Sequence, residues 1–545
     1  MLDKLRSGVE REIRAWAAEN GLKNPAPVVF APPPPHVDAD ICMPWPMSAA
    51  KALKRKPLDI AASLAEKISS LPEIGKSEPA PPGFVNLTLN LSGLTDHLRA
   101  VLSEPEKHGR EENITARSII IEYVSANPTG PVHLASGRAA TLGDSLAKIL
   151  RRRGHSVATE FYVNDAGRQV RLLGESVKAR HEEAAGKDSP VPEDGYQGDY
   201  IKDIANAAPA EASAWSAEEF SKFAIEQMLA AHRSDMALFG VVFDRWYLES
   251  ELHERKALDA SLKRLKDLGR VKEKDGAVWL SMGDDAEDDK DRVLVRADGR
   301  PTYFLADIAY HQDKLERGFK ELIDIWGADH HGYVPRMKDA ITALGYPKET
   351  FLPIVHQLVR LFKGTEAVKM SKRAGEFVTL RELVEDVGLD ACRYFFAKHS
   401  PNSHMNFDIE LAKKQTQENP VYYVQYVHAR IRSIFREAPA KGIEPRHPRE
   451  DEWALLTDPT ERDLLKKIAW FPEALKICER DLSPHPLTTY LGELAGLYHA
   501  FYEKCKVLSP ESPNLSTARL ALCGGVAAVI KDGLGLLGVR APEKM

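Results

Sequence analysis

A doubly wound parallel α/β sheet, set between an N-terminal α+β module and a C-terminal all-α helical bundle, is the fold class predicted for this chain of 545 residues. Three observations predict it. Between about 118 and 380, short apolar runs are each followed by a turn and a helical spacing, the pattern of parallel strands joined by crossover helices. The first 110 residues mix helical and period-two segments. After about 381 strand signals vanish and amphipathic helices dominate. The centre is therefore Rossmann-like, and the expected division is 1–110, 111–380 and 381–545.

The N-terminal module opens on a helix, because Leu2, Leu5, Val9, Ile13 and Trp16 recur on one face. The Pro-rich FAPPPPHVDADICMPWP reads as an extended loop, PLDIAASLAEKISSLPEI as a helix and GFVNLTLNLSGL as a strand. A polar segment around 103–117 closes the module. In the centre the strand candidates are 119–124, 157–163 and 322–326. Between about 175 and 290 the regularity breaks into a mostly helical stretch and the acidic DDAEDDKD, which reads as an insertion between the two halves of the sheet. PVYYVQYVHARIRSIF and LTTYLGELAGLYHAFYEK are helices of the C-terminal bundle.

Apolar residues make up 43% and charged residues 28% of the chain, enough for packed cores and against wholesale disorder. No apolar run approaches the ~20 residues that span a bilayer. The acids and helical spacing of the first twenty residues argue against a signal peptide. The five cysteines have neither metal-ligand nor redox spacing and read as buried thiols of a cytoplasmic protein. The net charge of −6 is concentrated in the middle of the chain. The two ends are slightly basic, with Lys51, Lys54, Arg55 and Lys56 near one and Arg430, Arg432 and Arg436 near the other. Such clusters suit an RNA, although charge runs are more often solvated faces.

Two stretches carry chemistry. In ANPTGPVHLASGR (126–138), Pro128 and Pro131 stiffen a turn between a strand and a helix, and Gly130 and Gly137 let backbone approach a ligand. His133 stands at the helix start, where ring nitrogens and free amides meet phosphate oxygens. A lone histidine there more often just fills a turn. In VKMSKRAGEFVTL (368–380), Lys369 and Lys372 flank a serine on a loop bounded by Gly364 and Gly375. Two ammonium groups on such a loop close over a polyphosphate and neutralise a leaving pyrophosphate. Together the two motifs are far more specific than either alone.

This pairing on a split sheet resembles the class I aminoacyl-tRNA synthetases. IEYVSANPTGPVH, FYVNDAGRQV, TYFLADIAYH, WGADHHGY, VKMSKRAGEFVTLRELVEDVGLDACRYFF and NPVYYVQYVHARI are similar, in this order, to the bacterial arginyl-tRNA synthetase family, over essentially the whole chain. The resemblance implies a ligase that activates arginine with ATP and its bound Mg2+, then transfers it to the 3′-terminal adenosine of its tRNA, with tRNA needed for activation. It makes His133, Ser136, Lys369 and Lys372 the groups acting on the phosphates. ATP would be held by these with Gly130, Ala135, Gly137, Asp329, His330, Met370 and Ser371.

Arginine would be bound by Glu122, Ser125, Asn127, His133, His330, Tyr303 and Asp307. The last two also have a physical logic, since residues four apart on a helix project side by side and a carboxylate pairs with a planar guanidinium. Tyr422, Tyr423, Tyr426, Arg430 and Arg432, with Trp453, would meet tRNA in a C-terminal anticodon-binding domain, while the N-terminal module grips the tRNA elbow. The chain departs from the class pattern His-x-Gly-His, reading His133-Leu134-Ala135-Ser136. Asp329-His330-His331 lacks a further ligand at suitable spacing, so no protein-bound metal is expected. A cytoplasmic monomer without membrane contact is the expected state. The rival readings are another class I synthetase, such as a cysteinyl enzyme, and a non-catalytic RNA-binding paralogue.

Overall fold

The apolar run SIIIE forms Ser118–Glu122, the middle strand of a five-stranded sheet in which every pair is parallel. The computed structural model describes every residue except 35, 112–113, 282–290, 365 and 368–377. Across the sheet the strands are Ile354–His356, Glu321–Gly327, Ser118–Glu122, Ser156–Val163 and Arg245–Leu248. The chain builds outward on one side of Ser118–Glu122, then returns to its other side with Glu321–Gly327. That reversal opens a crevice at the carboxyl ends of these two strands, the place where doubly wound sheets take ligands. Ile119, Ile120 and Ile121 are all buried, as both faces of a parallel sheet require.

The three expected strands form within a residue or two of their predicted ends. The stretch read as one insertion is interrupted by a further strand, Arg245–Leu248, which pairs with Ser156–Val163. Four residues are too short to show a period, so only the pairing reveals them. Helices Arg168–Ala184, Asp199–Ala207 and Ala217–Leu238 precede that strand. A small antiparallel sheet of Val271–Lys274, Ala277–Leu280 and Arg292–Val295 follows it. Past residue 381, where only helices are expected, Met405–Asp408 pairs in parallel with Val359–Lys363.

The N-terminal module buries all five predicted apolar residues of its first helix, Leu2–Glu19. Its sheet is antiparallel, with Phe84–Leu89 between Ile41–Met43 and Ile74–Ala80. Part of the expected Pro-rich loop is thus a strand, and Trp45 starts a helix. The run Ile-Cys-Met is short and framed by proline and aspartate, which hid it from periodicity. At the other end, helices Pro420–Glu437, Pro459–Ala469, Phe471–Arg480, His485–Lys504 and Pro513–Leu536 pack into the bundle. Trp453 is 2% exposed and lies in this core under the Arg99 guanidinium. It is therefore not a surface for stacking bases.

Helix Leu134–Arg153 runs from the crevice across the back of the sheet. Gly143 must lack a side chain, because a Cβ there would stand 2.2 Å from the Tyr123 ring. Gly137 serves packing in the same way: its Cβ would meet Leu380 at 2.6 Å and Phe396 at 3.0 Å. Arg138 on this helix is fully buried, and burial pulls its pKa down to about 10. Its guanidinium donates to the carbonyls of Gln357 (2.7 Å), Ser400 (2.8 Å) and Ser403 (2.9 Å), pinning two later segments to the helix. Arg138→Met keeps much of the volume but leaves those acceptors unpaired, so chemical denaturation should show a loss of about 3 kcal/mol or more.

Candidate active site

At the end of Ser118–Glu122 the backbone turns sharply, with positive φ at Val124 (69°) and Ser125 (39°). Non-glycine residues enter this region at a cost, and it recurs where a site over-determines the chain. The turn is held by its own side chain. Ser125 Oγ donates to Glu122 at 2.9 Å and accepts the Tyr162 N–H at 3.1 Å. The loop then passes Asn127, which is exposed, and reaches His133, the N-cap of helix Leu134–Arg153. His133 Nδ1 accepts the Ala135 N–H at 3.2 Å. Ser136 follows in the first turn and is 9% exposed. The Ser136 N–H turns back to His133 O at 2.9 Å, and the positive end of this 20-residue helix suits an anion.

The second motif meets the first here. Lys369, Met370, Ser371 and Lys372 lie outside the described residues, but both flanks are described. Before them, Glu366–Ala367 folds back on Val359–Lys363. After them, Thr379 forms an antiparallel bridge with His133, and the Leu380 N–H donates to Val132 O at 2.9 Å. Thr379 then caps the next helix with Glu382. Residues 246 positions apart in the chain are thus backbone neighbours at the helix start.

Beside this lies an acid-rich pocket. Helix Tyr303–Glu316 presents Asp307, His311 and Lys314 to the sheet. Lys314 Nζ donates to Glu122 at 2.6 Å and to Asp324 at 2.9 Å, and those two carboxylates are register partners on adjacent strands. Burial would raise the Asp324 carboxyl, but Lys314 and His311 outweigh it and hold it down to about 2. Burial pushes Glu122 up, and Asp324 beside it adds to that. Both ring nitrogens of His311 face acceptors, Asp307 O at 2.7 Å and Asp324 at 2.9 Å, a geometry that suits the imidazolium. The Asp307 carboxyl accepts from the Tyr333 hydroxyl, and burial raises its pKa. Tyr303 is 67% exposed at the mouth. Asp329 and His330 follow Glu321–Gly327 in an exposed turn, 3.6 Å apart.

Six residues described at the site escaped the sequence reading: His311, Lys314, Asp324 and Tyr333 in the acid-rich pocket, and Glu249 and His356 beside it. Lys314 continues the stripe of Tyr303 and Asp307 by helical spacing, a signal that was available. Glu249 is 7% exposed near Asp307 and Tyr162, with its carboxyl raised by burial; it was hidden in the stretch read as insertion. His356 ends the outer strand close to His133 and Asp329, and burial lowers its imidazole to about 4.

The predicted tRNA-facing residues lie in the bundle. Tyr422 and Tyr426 stack at 6.3 Å, and the His499 ring lies 4.9 Å from Tyr423. Arg430 contacts the Tyr502 hydroxyl, and Arg432 pairs with Glu543 at 2.6 Å. Among the described residues no helix is long and apolar enough to cross a membrane, and no group of three or more His, Cys, Asp or Glu is placed to hold a metal.

Residues 97–413 match the family described as tRNA synthetases class I (R), catalytic domain. The chain belongs to the arginyl-tRNA synthetase family. Residues 3–89 match the arginyl-tRNA synthetase N-terminal domain, and 424–545 the DALR anticodon binding domain. The arginine–tRNA ligase of Elusimicrobium minutum is 50% identical over 545 residues, covering all of both chains. That of Carboxydothermus hydrogenoformans is 44% identical over 507 residues, 92% of this chain and 91% of its own. The Thermus thermophilus arginyl-tRNA synthetase structure superposes with a TM-score of 0.79 at 22% identity over all of both chains, which shows the shared fold. The expected fold class is borne out: a class I synthetase sheet domain between an N-terminal module and a helical C-terminal domain.

The pocket's charge balance is testable without substrate. Asp324 titrates near 2 when folded and near 3.8 ordinarily. Its stabilising contribution is therefore complete above about pH 4 and disappears as the pH falls through 2. Lys314→Met leaves two buried carboxylates without their shared cation and should cost roughly 3–5 kcal/mol at pH 7. Denaturation at pH 5 should show a smaller deficit, because the orphaned acids then take up protons. An equal deficit at both pH values would count against the ion pair as its source.

Proposed function

We propose that this synthetase activates arginine and charges its tRNA through the crevice described above. The observation that carries the reading is the His133–Thr379 bridge, which brings the ends of both phosphate-handling segments together beside an acid-lined pocket. In the first step the arginine carboxylate attacks the α-phosphorus of ATP in line, giving arginyl-adenylate and pyrophosphate. The carboxylate is already ionised, so no general base is needed and catalysis is positioning and charge neutralisation. The helix start at His133 and Ser136 receives phosphate oxygens, and Lys369 and Lys372 close over the leaving pyrophosphate. Magnesium arrives as part of the ATP substrate. Gly130, Ala135 and the Asp329–His330 turn border the nucleotide.

Asp307 receives the guanidinium, with Tyr303 at the mouth. Glu122, Ser125 and Asn127 line the arginine's other end. In the second step a ribose hydroxyl of the terminal adenosine, the 2′ one, attacks the adenylate. Tyr422, Tyr423, Tyr426, Arg430 and Arg432 meet tRNA from the bundle, and bound tRNA is required before adenylate forms. Within this scheme 1–110 grips the tRNA elbow, 111–380 performs the chemistry and 381–545 reads the anticodon. The enzyme works as a monomer in the cytoplasm.

Arginine-dependent ATP–pyrophosphate exchange, with and without tRNA, tests the reading. Exchange is expected with arginine and tRNA together, and little without tRNA. Exchange driven by cysteine instead, or none at all with tRNA present, would sink it. Asp307→Ala should raise the arginine KM by ten- to a hundredfold, since a hydrogen bond to a charged group is worth about 1.5–3 kcal/mol. The ATP KM should move little; equal losses for both substrates would remove Asp307 from the guanidinium site.

A further inference from the structure

The turn between Asn127 and His133 is gripped from outside the sheet. Tyr200, on helix Asp199–Ala207, donates its hydroxyl to Thr129 O at 2.7 Å. His232, on helix Ala217–Leu238, meets Gly130 O with Nε2 at 2.8 Å. A carbonyl oxygen only accepts, so Nε2 carries the proton and donates. The other ring nitrogen is buried without a hydrogen-bond partner among the described residues. His232 is itself fully buried, its ring 6.2 Å from that of Phe161. A histidine kept dry, with one nitrogen unsatisfied, is costly unless its single bond matters. Both helices belong to the segment between Ser156–Val163 and Arg245–Leu248, to which the activation scheme assigns no part.

The two bonds fall on consecutive carbonyls. A trans peptide is planar, so turning the Thr129 carbonyl toward Tyr200 turns the Gly130 N–H the opposite way. The next peptide unit, Gly130–Pro131, has no N–H, which leaves its carbonyl as the one polar handle by which it is oriented. Pro128 and Pro131 restrain their own φ angles but not the rotation of the residues between them. The Tyr200 and His232 bonds supply that restraint, three and four residues before His133 takes up the helix cap.

We propose that Tyr200 and His232 are positioning residues for nucleotide activation, holding the Thr129 and Gly130 carbonyls so that the turn delivers His133 and the helix start to the ATP phosphates. The inference rests on the arginine-activation reading above. Tyr200→Phe removes only a hydroxyl from a half-buried ring. His232→Leu removes the donor, and His232→Gln keeps an N–H that still reaches the carbonyl. Each variant is compared with the wild type in arginine- and tRNA-dependent ATP–pyrophosphate exchange. On the same preparations, tRNA affinity, thermal unfolding and deuterium uptake of peptides across 126–138 are measured.

Tyr200→Phe and His232→Leu should each lower kcat/KM for ATP by about tenfold, the order expected for one hydrogen bond that orients the site. Deuterium uptake at 126–138 should quicken, tRNA affinity should hold, and His232→Gln should retain most of the activity. The proposal is overturned if kcat/KM for ATP stays within about twofold in both variants. It is equally overturned if tRNA affinity and the unfolding midpoint fall in step with activity, because the residues then only hold the fold. Deuterium uptake reads the turn without any reaction. A wild-type chain lacking exchange would defeat the activation reading, and the grip on the turn would still be decided by uptake.

Discussion

The Lys314 ammonium is the group on which the crevice depends. Glu122, the last residue of its strand, and Asp324, midway along the neighbouring parallel strand, are register partners, so the sheet itself forces two carboxylates together where water is excluded. Like charges in such a place repel strongly and push each other toward the neutral form. Lys314 reaches both from the helix that precedes the Asp324 strand, and His311 shares the second. With those charges balanced, the Ser125 turn can hang from Glu122, and the backbone accepts positive φ at two non-glycine residues. The acid pocket and the turn at Ser125 thus share one buried cation, Lys314, through Glu122.

A second constraint ties this site to the rest of the molecule. Helix Leu134–Arg153, with 20 residues, is about 30 Å long, and its two ends do different work. The start is the candidate phosphate site. The far end delivers Arg153, which donates to Glu479 of the C-terminal bundle at 2.9 Å, while His155 and Arg117 reach the same carboxylate at 2.8 and 2.5 Å. Burial pushes Glu479 up, yet the hydrogen bonds from His155 and Arg153 prevail and hold it below its ordinary value. One carboxylate of the bundle thus clamps the amino end of Ser118–Glu122 and the carboxyl end of the helix. The bundle and the crevice are joined through rigid elements rather than loops.

Much of the site was legible because its residues obey local rules. Strand, Pro/Gly turn and helix cap follow one another over 20 residues around His133, and Tyr303 and Asp307 show the i, i+4 spacing of a shared helix face. Lys314, seven residues after Asp307, lies on the same helix face and was missed because a lysine on an amphipathic helix ordinarily reads as solvated. Glu249 and Arg245–Leu248 were missed for another reason. A four-residue strand has no period to detect, and its identity exists only in its pairing with Ser156–Val163. Gly137 shows a requirement local reading misses: a Cβ there would meet Leu380 and Phe396, which lie about 250 positions on.

By itself the sequence determined the class of each region, the three main strands and, through the two candidate phosphate motifs, the family whose pattern they carry. These follow from periodicity, turn chemistry and side-chain type, all of which act over a few residues. The tertiary structure alone decided that His133 and Thr379 are backbone neighbours, that Glu122 and Asp324 share one lysine, and that Tyr200 and His232 hold the turn before the helix cap. Each of those facts includes a contact between residues more than 70 positions apart, created when strands pair and the chain reverses across the sheet. Local propensity carries no information about such distances, so the chemistry of the crevice appears only once the sheet has closed.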